Sequence, residues 1–455
     1  MRYIPATKDD RAKMCERIGI QNPEELFRQI PEHLRFHRPL NLPPALSEMD
    51  TVRHMRAIAE ENEKAVNCPS FLGGGAYRHY TPAFMSQLLS RGEFLTAYTP
   101  YQPEVSQGIL QALYEFQTYI AILSGMDIAN ASLYDGATAA AEAVLMARRI
   151  NKKGSVAAVS HALHPHYREV ICNYMRDIGI DVRELPIGQE SGKTLFNLEL
   201  MKDAFCLVVG YPNYFGVVED LASARIAADS VGALLVSVTA EPLALALLKP
   251  PGECSVDIFA GEGQSFGIPL SFGGPYLGLL AAKGEYVRQM PGRLVGAGYD
   301  IEGKDGYSIV LSTREQHIRR GKATSNICTN ETLCTIAAAM FLSAHGKEGL
   351  KNLAMLNLEK AFRLKQKIAA LPNLSIPYSG RTFNEFVVRI TNGSSAGSSS
   401  KIFLESLYRD FRTLGGIALA EKYTEYPSDF LVCVTEENSD EETDCFLQVL
   451  TEVSK

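Results

Sequence analysis

Apolar positions become periodic after Glu104. Val105, Ile109, Leu113, Phe116, Ile120 and Leu123 recur at steps of four, four, three, four and three, which lays one apolar stripe along a helix. The pattern then changes. SVAAV from Ser155, FCLVVG from Phe205, LLVSV from Leu234 and DIFAG from Asp257 are short, continuous apolar runs, separated by helical stretches such as Val218 to Asp229. Runs of that length read as strands buried on both faces. The first three spacings leave room for right-handed crossovers, so the expected fold class is α/β with a mostly parallel, doubly wound sheet.

The flanks read differently. The first 65 residues are polar and helical in period, broken by HRPLNLPPALSE, which predicts an arm of short helices. Beyond Asn330 a helical stretch runs from Thr332 to Ala370, interrupted near Gly346 and Gly349. EFVVRI and FLVCV then predict strands, GSSAGSSSK a flexible turn, KIFLESLYRDF a helix, and Ser439 with Glu442 a capping box. The expected organisation is an N-terminal helical arm at 1–70, a large α/β domain at 71–340 and a smaller α+β domain at 341–455.

Composition narrows the class. The chain has 455 residues, 46% hydrophobic and 21% charged, with 45 Lys plus Arg against 52 Asp plus Glu. That balance excludes disorder and small disulfide scaffolds, and a net charge of -7 makes neither nucleic acid nor a membrane surface a default partner. Nine cysteines without a CxxC pair read as reduced, mostly buried thiols of a cytoplasmic protein. The start, MRYIPATKDDRAKMCERIG, has no signal-peptide core, and the most apolar run, Val231 to Ala240, stops at Glu241 and Pro242, so a soluble chain is expected.

Several stretches carry candidate chemistry. Asp135, Gly136, Ala137 and Thr138 open an Ala-rich helix whose free amides could hold a phosphate, although Asp135 serves equally as an N-cap. The glycines between Gly261 and Gly278 imply tight backbone or close approach of a ligand or another chain. Tyr98, Tyr101, Gln102 and Glu104 sit on one stretch stiffened by Pro100 and Pro103, either a functional loop or a helix entry. His161, His164 and His166 lack an obvious completing ligand, so no metal is expected. The basic run Arg314, His317, Arg319, Arg320 and Lys322 precedes Thr324, Ser325 and Asn326, small polar residues suited to clamping a phosphate at a turn.

Together YTPYQPEVSQG, ASLYDGATAAAEA, LLKPPGE, FGIPLSFGGP and TREQHIRRGKATSNICT, spread over 70–330, resemble the glycine cleavage system P-protein family. The likeness is to the α (first) subunit of its split bacterial form. The resemblance implies a fold-type I enzyme of the pyridoxal 5'-phosphate (PLP) class, whose second subunit is a divergent copy of the same fold and carries the cofactor. Such an enzyme needs a Schiff-base lysine and an acid beside the pyridine nitrogen. Gln264 stands where that lysine belongs, Val238 where the acid belongs, and Glu241 is displaced by three residues. Lys249 and Lys322 are the rival lysines.

By the same resemblance, Thr324, Ser325 and Asn326 reach the phosphate of the partner's PLP, and Tyr98, Thr99, Tyr101, Gln102 and Glu104 line the glycine side of the partner's pocket. The implied reaction takes glycine and lipoylated H protein to carbon dioxide and the aminomethylated lipoyl arm. It is carried out by an α2β2 assembly, with the isolated chain inactive. The basic run from Arg314 to Lys322 either steers H protein or forms an internal salt-bridge helix. A non-catalytic scaffold and a self-sufficient PLP enzyme are the alternatives.

Overall fold

In the computed structural model, which describes residues 5–66, 68–391 and 399–453, the chain divides into two units, Met1–Val66 and Asn67–Lys455. The first holds helices α1 (Lys8–Ile18) and α2 (Glu48–Val66). Thr7 and Asp10 cap α1 reciprocally, so its first backbone donors are satisfied locally.

The second unit starts with α3 (Ala83–Leu89) and α4 (Gly92–Leu95), then α5 (Gln107–Ser124). The stripe predicted from Val105 holds from Ile109 onward. Val105 itself is 79% exposed, because Pro103–Val105 form a separate single turn and α5 begins two residues later. Next come β1 (Ile128–Ala129), α6 (Gly136–Ile150), β2 (Val156–Ser160), α7 (Pro165–Arg176), β3 (Asp181–Leu185), β4 (Ala204–Gly210), α8 (Leu221–Val231), β5 (Leu234–Thr239), β6 (Ile258–Glu262) and β7 (Gly278–Ala282). They form one sheet in the order β1-β7-β6-β5-β4-β2-β3. The pairings from β3 through β6 are parallel, while β7 runs antiparallel to β6 and β1.

The four predicted strands are all present, entirely buried apart from half-buried Leu234, because helices cover both faces. One face packs Phe259, Leu207 and Val209 against Phe116, Ala338 and Phe341; the other packs Val159, Val208 and Val236 against Val144, Ala147 and Ile171. A hairpin, β8 (Leu294–Tyr299) with β9 (Asp305–Val310), leaves this body, followed by the short α9 (Gln316–Arg319).

Helix α10 (Thr332–Ala369) breaks its helical angles at Gly346, with φ 57° and ψ -171°, at the first of the two expected interruptions. It leads to β10 (Leu374–Ser375), β11 (Glu385–Ile390), α11 (Ser400–Phe411), β12 (Ile417–Ala418), β13 (Asp429–Cys433) and α12 (Asp440–Val453). The four strands form an antiparallel sheet, β10-β11-β13-β12. Most of the glycine–serine run expected as a turn falls at 392–398, outside the described residues. The capping box of α12 is present: Ser439 N–H donates to Glu442 and Glu442 N–H to Ser439 Oγ, both at 3.1 Å. No helix among the described residues is long and apolar enough to cross a membrane.

Candidate functional site

The ends of strands β5 and β6 carry Val238 and Gln264, the two positions singled out in the sequence. Gln264 follows the end of β6 and is 1% exposed. Its Oε1 accepts from Tyr77 N–H at 2.9 Å, and its Nε2 donates to Tyr77 O at 3.0 Å and Ile268 O at 2.7 Å. The amide thus pairs with the backbone of the 75–79 segment as a strand neighbour would, and every donor it has is used. Val238, 1% exposed, forms part of the pocket wall.

Glu241 lies just past β5. Its Oε2 is 2.9 Å from His79 Nε2, and Asn384 Nδ2 donates to it at 3.3 Å. The other His79 nitrogen meets Glu436 at 2.8 Å. Burial works against the charge of His79, yet the two carboxylates overcome it and push its pKa up to about 10. Glu436 is held down to about 2: burial opposes that shift, but the His79 contact, Tyr80 N–H and Asn357 outweigh it. Beside this triad, buried Glu385 accepts from Gly74 N–H at 2.6 Å and Tyr77 Oη–H at 2.9 Å; burial raises it to about 7.

The helix start that could hold a phosphate already holds a carboxylate. Asp135 caps α6 in a reciprocal box with Thr138, and Gly136 N–H donates to Glu262 at 2.8 Å. Glu262 also accepts from Leu277 N–H at 2.9 Å and Gln264 N–H at 3.1 Å. Burial raises its pKa to about 8 despite these three donors. The cavity beside them, lined by Tyr77, His164, Val238, Glu241 and Glu385 among others, measures about 20 Å³, room for a water rather than the several hundred Å³ a cofactor of PLP's size takes. The residues present therefore do not fit PLP: no amine, no open helix terminus and no volume. Lys249 and Lys322 are both exposed and line none of this cavity.

The other candidates meet elsewhere. Tyr98 and Tyr101 are 73% and 70% exposed; Gln102 and Glu104 are exposed and Thr99 half-buried. The loop rests on the hairpin through Gln107, whose Nε2 donates to Pro103 O at 2.7 Å and Tyr307 O at 2.9 Å. Thr324 and Ser325 are half-buried and Asn326 is exposed. Thr324 N–H donates to Arg314 O at 3.1 Å, and Ser325 Oγ accepts from Ile327 N–H at 3.0 Å, so this turn is tied to the start of the basic run and to the Ser325 hydroxyl.

Arg314 is not a free surface charge, since its guanidinium donates to Met290 O and to Gly292 O at 3.0 Å. His161 sits between Glu184 and Glu425, whereas His164 Nε2 contacts Gly74 O, so these two rings face separate partners. Of the nine cysteines, Cys15, Cys68, Cys206 and Cys433 are buried, while Cys328 and Cys445 are exposed.

The structure adds three groups that pattern reading did not single out: His79, Glu262 and Arg293. Arg293, 5% exposed, donates to Thr99 Oγ1 at 3.4 Å, Asn330 Oδ1 at 3.3 Å and Cys328 O at 3.1 Å, and lies 5.9 Å from the centre of the Tyr101 ring. It ties the 98–104 loop, at Thr99 and Tyr101, to Cys328 and Asn330. The available signal was one arginine at the head of a strand, in PGRLVG.

Comparison with known proteins is consistent over the whole length. A family profile described as glycine cleavage system P-protein matches residues 1–450. A protein of Desulforamulus reducens named probable glycine dehydrogenase (decarboxylating) subunit 1 is 45% identical over 456 residues, covering 100% of both chains. A namesake from Thermomicrobium roseum is 46% identical, also over 100% of both. Among solved structures, a glycine decarboxylase (P-protein) of the glycine cleavage system in inhibitor-bound form superposes with TM-score 0.88 at 39% identity, covering 100% of each chain. A sphingosine-1-phosphate lyase from Burkholderia pseudomallei shares the fold-type I architecture, with TM-score 0.64 at 16% identity over 93% of this chain and 94% of that one.

Proposed function

The chain belongs to the glycine cleavage system P-protein family, and from that premise we propose that it is the α subunit of a split glycine decarboxylase, completing in trans a site whose PLP is held by a second, β subunit. One observation carries the reading. Inside the chain, Gln264 and Glu262 are committed to backbone partners, while the exposed Tyr98 and Tyr101 belong to a loop that Arg293 ties, through Thr99, to Cys328 and Asn330 just beyond the Thr324–Asn326 turn.

In the assembly, bound PLP supplies the electron sink that lets glycine lose carbon dioxide. This chain's residues position and seal. Tyr98, Thr99, Tyr101 and Gln102 line the glycine side and exclude water, and Glu104 fixes their loop. Thr324, Ser325 and Asn326 donate to the cofactor's phosphate. The aminomethyl group passes to the lipoyl arm of H protein. The working unit is a cytoplasmic α2β2 assembly, each α chain built as an arm at 1–70, a large domain at 71–340 and a small one at 341–455.

The test uses the enzyme assembled from this chain, its second subunit and PLP, followed by glycine–bicarbonate carbon exchange. Tyr98→Phe, Tyr101→Phe and Thr324→Val each lower exchange by about tenfold or more while the complex stays intact on a sizing column. Unchanged exchange in all three would leave only the scaffold reading.

A further inference from the structure

We infer that Arg293 is a positioning residue of the in-trans site: its guanidinium locks the Tyr98–Glu104 loop to the Cys328–Asn330 segment that directly follows the Thr324–Asn326 turn, so that the glycine-side loop is held in a fixed position. This role presupposes that the two stretches reach the partner's pocket.

The geometry is that of a clasp. Arg293 immediately precedes β8, and its backbone is anchored by Ala131 N–H donating to Arg293 O at 2.9 Å. From there the side chain reaches Thr99, Cys328 and Asn330, and packs near the Tyr101 ring. The far segment is pinned in turn, as Asn330 Nδ2 donates to Ala131 O at 2.6 Å and Tyr134 Oη accepts from Cys328 N–H at 3.2 Å. The loop side has fewer ties. Its backbone bond from Tyr101 N–H to Thr99 O is internal, and both tyrosines are largely exposed. Without the guanidinium, Thr99 loses its hydrogen bond to the rigid segment and Tyr101 its cationic neighbour.

The charge itself argues for more than packing. Arg168 and Arg293 are the two arginines among the described residues that are less than a tenth exposed. Arg168 is paired with Glu184; Arg293 has neutral oxygens and a ring face. A buried guanidinium without a carboxylate is a costly fastener where a neutral side chain would serve. What it offers is a planar fork that makes several directed bonds and lies against an aromatic ring, which lysine does not reproduce.

The experiment again uses the assembled PLP-bearing enzyme and glycine–bicarbonate exchange, with kcat and KM for glycine measured separately. Arg293→Met lowers kcat by about tenfold or more with the complex intact, and Arg293→Lys recovers only part of the loss. In a Tyr101→Ala background, Arg293→Met then costs much less than it does alone, because the arginine acts through that loop. Thr99→Val, which removes one hydrogen bond and leaves the charge, lowers kcat by about threefold and serves if Arg293→Met fails to fold.

Wild-type kcat and KM in Arg293→Met, or in Thr99→Val should the former not fold, overturn the clasp. So does full additivity with Tyr101→Ala. If Tyr101→Ala and Thr324→Val are themselves silent, the in-trans reading falls and the clasp with it. If they are damaging and the Arg293 variants silent, the clasp alone falls.

Discussion

At the scale of single residues, two side chains close the pocket independently. Gln264 satisfies the backbone of Tyr77, and Glu262 satisfies the start of α6. Restoring one lysine is therefore insufficient. The variant Gln264→Lys is expected to bind no PLP, because Glu262 still occupies the amides and the space is still about 20 Å³. It is also expected to lose about 1–3 kcal/mol of stability, since Tyr77 N–H loses its acceptor. Absorbance titration with PLP and denaturant melts check both; a lysine-bound cofactor band in this variant contradicts the account. Glu262→Ala leaves the three amide donors unpaired and is expected to destabilise by a comparable amount, about 2 kcal/mol.

At the scale of elements, the 68–82 segment is strapped across the ends of two sheets. His79 joins Glu241 after β5 to Glu436 after β13. Its pKa is raised to about 10 from 6.5, so the stability it contributes is fully present below pH 6.5 and is lost as pH rises through about 10. Glu436, lowered to about 2, acts oppositely: its contribution is present above pH 4.5 and lost as pH falls toward 2. Glu385, raised to about 7 because burial favours its protonated form, adds a separate decline between about pH 4.5 and 7 and no further slope above it. Thermal melts from pH 6 to 10 should therefore show falling stability. His79→Gln should flatten that limb while lowering stability at pH 6 by about 3 kcal/mol, the cost of breaking a buried ion pair.

Elements also show which structure was legible. The four strands of the sheet's middle and the long helices were readable because burial on both faces leaves continuous apolar runs. Strand β3, DVREL, was not, since an edge strand carries charge. Strands β1 and β10 have two residues each, too short for any period. The β8–β9 hairpin hides in glycines, and Val105 mimicked a helical position although Pro103 starts a separate turn.

At the scale of the molecule, the chain is expected to work only in company. Alone with PLP it should show no band of a lysine-bound cofactor and no glycine–bicarbonate exchange, whereas adding the second subunit should produce both. Docking of H protein is a separate question. With Arg314 tied to backbone carbonyls, Arg319 and Arg320 are the exposed arginines of the basic run. If they steer an acidic surface, Arg319→Ala with Arg320→Ala raises the apparent KM for H protein at low salt and weakens its salt dependence. An unchanged dependence removes the docking role.

Much about this protein was settled by residues in their order. Apolar periodicity reports which faces are buried, so the α/β class, the middle strands and the helices came from it, and long identical-looking strings led to the family. That position 264 holds a glutamine and not a lysine was readable because it is a statement about one residue type at one place. The closure of the pocket was not. That Gln264 grips Tyr77, that Glu262 takes the first amide of α6, and that Arg293 clasps Thr99 to Asn330 are contacts between residues 126 to 194 positions apart in three of these pairs or 37 in the fourth. A buried polar side chain is defined by its partner, and only folding chooses the partner.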